Sequence, residues 1–167
     1  SSEGGFADPI AFIQGLSTQE RRSLQQIHCL AEPIAPGRLS EEGALNLLLP
    51  PNQRKDIDKN GYLMVGEAKT WVFPPMNAPE EVKAAWEQAV AESGKSSLVL
   101  QAPFMPSPFQ ENAYIGEEVG TYLDLIAQRI DGAKLAQKYD MSWQHEDRKK
   151  QIAFLTNFLE ILELSQS

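Results

Sequence analysis

The sequence predicts a mostly α-helical fold of about six or seven helices with a minor β element. Three observations support this: residues that cap helices recur along the chain, apolar residues repeat at helical spacing, and strand-like runs are few and short. The 167 residues, 42% hydrophobic and 23% charged, match one ordinary globular domain. We therefore expect a flexible N-terminal segment, residues 1–7, followed by a single helical domain over residues 8–167.

Three helices are predicted in the first half of the chain. The first follows the dipeptide Asp8-Pro9, an N-cap followed by proline. The second opens at Ser17 and Glu20, which have the spacing of a capping box, and it continues to about residue 30. The third begins at Ser40 and carries the apolar run 44–49, which a pair of prolines ends.

The middle of the chain combines one helix with the minor β element. Asn77 is expected to cap a helix that ends at Gly94, and two glutamates in its first turn complement the helix dipole. The β element is expected near residues 60–73 and as a short strand at Ser97–Gln101, which is rich in leucine and valine.

Two further helices are predicted in the last third. An apolar stripe at helical spacing covers residues 119–139, with an interruption at Gly132. Ser142 is expected to cap the final helix, from residue 143 to about 164. Its second half is apolar on more than one face, which is typical of a helix central in its own core or docked against a partner.

Charge and hydropathy exclude two classes of partner. The chain carries 15 basic and 23 acidic side chains, a formal charge of −8, and no basic stripe that would neutralise phosphates. No run approaches the roughly 18 apolar residues of a membrane span. We therefore predict a soluble, acidic protein that neither binds nucleic acid nor inserts into a membrane.

The residues that most often carry catalysis are scarce. One cysteine, Cys29, excludes an intramolecular disulfide, and we expect its thiol to be buried and inert on the second helix. Two histidines leave little material for a catalytic triad or a zinc site, and no nucleotide-binding fingerprint occurs. The sequence therefore favours a non-enzymatic protein and nominates no catalytic residue.

One segment, residues 56–67, carries recognisable chemistry. It reads Asp-Ile-Asp-Lys-Asn-Gly-Tyr-Leu-Met-Val-Gly-Glu and fits D-x-[DN]-x-[DN]-G followed by five residues and a glutamate. Calcium is a hard cation that takes six to eight oxygen ligands, and the glycine permits the sharp turn that wraps a chain around it. The predicted ligands are Asp56, Asp58, Asn60, the backbone carbonyl of Tyr62, and Glu67.

This segment resembles the calcium loop of EF-hands, or the loop-then-helix half-motif of dockerin-like calcium modules. The resemblance covers about a tenth of the chain and implies a bound Ca²⁺. A single loop of this kind is expected to brace the chain rather than to act as a sensor, because sensors open paired helices. A weak calcium site would suit a periplasmic or extracellular protein.

A plain β-hairpin is the alternative for the same residues. Asn60-Gly61 is a strong hairpin-turn dipeptide, and Tyr62–Val65 would form the outgoing strand. The segment 50–55 before the loop is polar and broken by prolines, unlike the helix that enters an EF-hand, and no second loop occurs. The sequence leaves both interpretations open.

Two functions follow as expectations. The first is a non-enzymatic binding or adaptor domain with one structural calcium loop. The second is a metal-free helical interaction or regulatory protein that assembles through its apolar C-terminal helix, a homodimer included. In either case we expect a protein partner, and the proline-flanked aromatic segments 71–76 and 103–109 could either cover the core or form the contact surface.

Overall fold

A computed structural model describes residues 7–167, so most of the segment predicted to be flexible lies outside the described residues. The predicted fold class is confirmed: the described part of the chain has seven α-helices and a two-stranded antiparallel sheet. The elements are α1 (Pro9–Gly15), α2 (Thr18–Ile27), α3 (Glu41–Leu48), β1 (Leu63–Val65), β2 (Ala68–Thr70), α4 (Glu80–Ser93), α5 (Ser97–Leu100), α6 (Val119–Gln137) and α7 (His145–Ser165).

The described chain divides into two compact units. The first contains the residues up to Val72 together with Glu111–Tyr114, and it holds α1 to α3 and the sheet. The second contains Phe73–Gln110 and Ile115–Ser167, and it holds α4 to α7. A single domain over residues 8–167 stays a prediction.

Local capping explains where the helices of the first unit begin. The Asp8 carboxylate accepts a hydrogen bond from the Ala11 N–H (2.9 Å), and Ser17 and Glu20 form the expected capping box. Ser40 caps α3 by accepting from the Gly43 N–H (3.0 Å). Helices α1 and α3 then pack together around Ile13 and other buried apolar side chains of the unit.

The end of α2 differs from the prediction and exposes Cys29. The helix ends at Ile27, and the N–H groups of Cys29 and Leu30 donate to the carbonyls of Gln26 and Gln25. This bond pattern is a Schellman motif, which places its closing residue in the left-handed region; Cys29 has a φ of 51°. Because the chain leaves the helix axis there, the thiol is exposed, and the predicted burial is wrong.

The hairpin turns at a different dipeptide from the one predicted. Strands β1 and β2 pair with Val65 opposite Ala68, so the two-residue loop is Gly66-Glu67 rather than Asn60-Gly61. Gly66 has a φ of 63°, as expected for glycine at the first central position of a primed turn. A Cβ on Gly43 of α3 would lie 2.1 Å from the Gly66 carbonyl oxygen, so a glycine is required where this helix meets the turn.

An aromatic cluster forms the core of the second unit. Phe73 stacks on Phe104 with ring centroids 3.9 Å apart, and the Trp86 ring meets Phe154 and Phe158 edge to face. The two proline-flanked segments thus each contribute a buried ring, as expected if they cover a core. The rest of the second segment is different, since Phe109 is 94% exposed.

Three local predictions for the second unit are wrong. Ser97–Leu100 is a short helix rather than a strand, because Ser96 caps it by accepting from the Leu98 N–H and no neighbouring strand is present among the described residues. α6 continues through Gly132 without a break. Asn77 makes no capping bond, and Pro79 occupies the N-cap position of α4.

The final helix is close to its predicted bounds. A 3-10 turn at Ser142–Gln144 precedes α7, so Ser142 lies inside this turn instead of capping the helix. Phe154, Leu155, Phe158 and Leu162 are buried, so this face of the helix contributes to the core of its own unit. Within residues 7–167, no helix combines the length and apolar character that a bilayer crossing requires.

Candidate metal centre

Two polar side chains on α3 hold the loop 55–64. Glu42 and Asn46 are separated by four residues, so they lie on the same face of the helix. Both are buried, with 4% and 0% of their surface exposed. Buried polar side chains require hydrogen-bond partners, and here the partners are backbone groups of the loop.

Asn46 uses both ends of its amide. Its Nδ2 donates to the carbonyls of Lys55 and Met64, each at 2.8 Å, and its Oδ1 accepts from the Lys55 N–H at 2.9 Å. These three bonds join the start of the loop to β1. The Asn46 side chain thus gives the Lys55 backbone the two hydrogen bonds that a neighbouring strand would otherwise provide.

Glu42 binds the same loop with its carboxylate. Its Oε2 accepts from the Ile57 N–H (2.8 Å), and its Oε1 accepts from the Met64 N–H (2.7 Å). Hydrogen bonds from N–H groups to an ionised acceptor are stronger than those between neutral groups. The carboxylate is thereby fixed at the position where the loop passes over α3.

Bonds within the loop close it on itself. The Asp56 carboxylate accepts from the Gly61 N–H (2.8 Å) and the Asn60 N–H (3.2 Å). The Asp58 carboxylate accepts from the N–H and Nδ2 of Asn60, at 3.1 and 2.8 Å. Gly61 has a φ of 82°, and a Cβ there would lie 2.2 Å from the backbone of Ala113, so this close approach requires glycine.

The result is an acidic cluster of Glu42, Asp56 and Asp58. One carboxylate oxygen from each lies within 4.8 Å of the others. Among residues 7–167, no lysine, arginine or histidine forms an ion pair with any of the three. Three negative charges at this separation repel one another unless protons or a cation compensate them.

Burial and mutual repulsion raise the pKa values of Glu42 and Asp56. Desolvation is the largest effect on Glu42, where it outweighs the amide hydrogen bonds and raises the pKa above the ordinary value of 4.5. Desolvation also raises the pKa of Asp56 above its ordinary 3.8, and the neighbouring Asp58 adds to the shift. Both carboxyls therefore resist ionisation in the folded protein.

These shifts predict a pH dependence of stability. A carboxyl whose folded pKa is raised binds protons more readily in the folded than in the unfolded state. Its contribution to the free energy of unfolding is therefore fully present below the ordinary pKa, near 4, and is lost as the pH rises through the raised value. Urea denaturation in the presence of chelator measures the free energy of unfolding between pH 4 and 7. This free energy should decline less with rising pH in Asp58→Asn than in the control Asp131→Asn, because Asp58 contributes to the raised pKa of Asp56. Equal declines would contradict the assignment.

Only part of the predicted ligand set comes together. Asp56 and Asp58 join the cluster, but its third carboxylate is Glu42 rather than Glu67. Glu67 lies in the hairpin turn and accepts from Arg38 Nε at 2.6 Å. Asn60 Oδ1 accepts from the Tyr62 N–H (2.8 Å), and the Tyr62 ring is covered by the Lys69 ammonium at 3.8 Å. The chain after Glu67 forms β2, where a loop-then-helix motif would place a helix.

Sequence reasoning missed Glu42, although a signal for it exists. The residue lies fourteen positions before the loop and reads as a first-turn charge on a short helix. Asn46 on the same face, among apolar neighbours, is unfavourable in a helix interior unless its amide finds partners. A glutamate and an asparagine four residues apart on an apolar helix face thus indicate a buried polar contact.

The donor set of the cluster fits a hard divalent cation. Calcium binds oxygen ligands at about 2.3–2.6 Å, so oxygens on opposite sides of one ion can be separated by roughly 5 Å. Each carboxylate oxygen has two lone pairs and can bind a cation while it accepts an amide hydrogen bond. Glu42, Asp56 and Asp58 would hold the ion, and its positive charge would compensate the negative charges of the three carboxylates.

Comparison with known proteins yields no relative: no family model, curated protein or solved structure matches this chain.

Proposed function

We propose that this protein is a non-enzymatic binding or adaptor domain in which a calcium ion, bound by Glu42, Asp56 and Asp58, braces the loop 55–64 against α3. The observation that carries the proposal is the convergence of three carboxylates, none of which forms an ion pair with a cationic side chain among residues 7–167. Asp56 and Asp58, which occupy the first two ligand positions of the calcium-loop pattern in residues 56–67, are also two of the three carboxylates of the cluster.

The proposed role of the cation is structural. The loop is already held by backbone hydrogen bonds to Glu42 and Asn46, so the ion would add stability to an existing conformation. Charge neutralisation is its main contribution, because the raised pKa values of Glu42 and Asp56 reflect the cost of burying charge there. Binding of this kind stabilises the folded state by mass action.

Thermal unfolding with calcium and with excess chelator tests the proposal. For a dissociation constant of about 1 mM, 10 mM calcium adds about 1.4 kcal/mol to the free energy of unfolding, or roughly 3–6 °C in Tm. Asp58→Asn should reduce the gain to about 0.4 kcal/mol or less, because it removes one charge from the cluster and weakens binding by a factor of about ten or more. Asp131→Asn removes an exposed carboxylate of α6 and should leave the rise unchanged. A Tm that is indifferent to calcium in the wild type would refute the proposal.

The metal-free interaction protein is the second candidate. It is favoured by large apolar side chains that stand exposed next to α7 and at its end: Tyr139, Met141, Trp143 and Leu164. Assembly through this helix would use them, because four of the large apolar side chains in its second half are already buried in the unit. Light scattering separates the candidates, since a dimer that persists in chelator, with no calcium effect on Tm, favours the second.

A further inference from the structure

A groove in the first unit has the chemistry of a binding site that the acidic cluster does not involve. It lies between α2 and the segment that follows this helix, and its volume is about 610 Å³. Small-molecule sites typically measure about 300–1,000 Å³. We call it the arginine groove, after Arg21 and Arg22 in its wall.

The charged side chains that line the arginine groove are cationic in a protein of formal charge −8. Among residues 7–167, no aspartate or glutamate lines it. Arg21 donates one hydrogen bond, from Nη1 to the Leu16 carbonyl (2.7 Å), and this bond fixes the guanidinium at the wall. Arg22 is exposed, and within the described chain it forms no ion pair. Two guanidinium groups are thus available for an anion.

The end of α2 and the segment after it give the groove an apolar lining, formed by Leu30, Pro33 and Ile34. Leu30 belongs to the Schellman turn that ends α2, and the other two residues follow it. The Cys29 thiol lies in the same lining and is exposed. An occupant that satisfies both sides needs an anionic head and an apolar body.

We propose that the arginine groove binds a small organic anion, with a carboxylate or phosphate head on Arg21 and Arg22 and an aliphatic or aromatic body against Leu30, Pro33 and Ile34. Planar guanidinium groups bind such heads through paired charge-assisted hydrogen bonds. The apolar body gains by leaving water. This site is independent of the calcium proposal, since it shares no residue with the acidic cluster.

Cys29 provides a direct probe, because it is the single cysteine of the chain. Its alkylation by iodoacetamide, a neutral reagent, is followed by mass spectrometry with increasing hexanoate, 1-hexanol or inorganic phosphate. We expect hexanoate to slow alkylation saturably, and hexanol and phosphate to do so only at much higher concentration. Equal protection by hexanoate and hexanol would overturn anion recognition, and equal protection by phosphate would overturn the apolar contact. No saturable protection by hexanoate would overturn the site.

Matched variants assign the effect to the guanidinium groups. Arg22→Gln should weaken protection by hexanoate about tenfold, as expected for the loss of a charge-assisted contact. Arg129→Gln, an exposed arginine of α6, is the control of equal charge and should change nothing. Arg21→Gln also removes the hydrogen bond to the Leu16 carbonyl, so circular dichroism is used to check that this variant folds. If Arg21→Gln is unfolded, the result of Arg22→Gln alone decides the assignment. Unchanged protection in Arg22→Gln would overturn the assignment.

Discussion

Replacing Asn46 by leucine is expected to lower the free energy of unfolding by about 3–5 kcal/mol. Leucine has a similar volume, so it leaves no large cavity, but it cannot form the three hydrogen bonds to Lys55 and Met64. The Lys55 N–H and the two carbonyls lie in a part-buried position and would lose their partner, at a cost of about 1–3 kcal/mol for each group that water does not reach. Urea denaturation followed by circular dichroism measures the change.

The control for this prediction is Asn157→Leu on α7. Asn157 is half-buried and makes one bond, from Nδ2 to an exposed Glu92 carboxylate (2.7 Å), so its loss should cost less than about 1 kcal/mol. If both variants lose similar stability, Asn46 does not hold the loop. Because Asn46 also fixes the loop against α3, Asn46→Leu should weaken the proposed calcium binding even at temperatures where the protein stays folded.

Truncating Phe158 to alanine is expected to cost about 3–5 kcal/mol. Its ring is fully buried and lies within 6.4 Å, centroid to centroid, of Phe73, Trp86, Phe104 and Phe154. The variant loses the burial of a large side chain and leaves a cavity among rings that also interact edge to face. The environment of Trp86 changes as well, so its fluorescence reports the loss of packing.

Phe109→Ala provides the matched control, since it removes the same side chain from a position that is 94% exposed. We expect its free energy of unfolding to lie within about 0.5 kcal/mol of the wild type. A large loss in Phe109→Ala, or a small one in Phe158→Ala, would place the core of the second unit elsewhere.

Local signals in the sequence predicted the helix starts of the first unit well. The capping box at Ser17 and Glu20 and the caps at Asp8 and Ser40 depend on residues at most three positions apart, so they can be recognised without tertiary information. The strand predicted at Ser97–Gln101 fails for the opposite reason. β-propensity takes effect only where a neighbouring strand is present, and a serine cap favoured a helical turn instead.

The candidate site was predictable only in part. The spacing of Asp56 and Asp58 within one loop is readable from the sequence, and the structure brings both together. Glu67, the predicted ligand, lies outside the cluster because the chain turns at Gly66 and Glu67 binds Arg38 instead. The third carboxylate of the cluster is Glu42 of α3. Which glutamate joins the cluster depends on how α3 packs against β1. The spacing of residues in the sequence does not encode this contact between segments.

A calcium-binding isotherm shows directly whether Glu42, Asp56 and Asp58 together form the proposed cation site. Isothermal titration at pH 7 should give one calcium ion per chain for the wild type and for Glu67→Gln. Binding should weaken at least about tenfold in Asp58→Asn and in Glu42→Gln, provided that circular dichroism shows each to be folded. Wild-type protein that binds no calcium, or binding that is lost in Glu67→Gln but retained in Asp58→Asn, would contradict the claim.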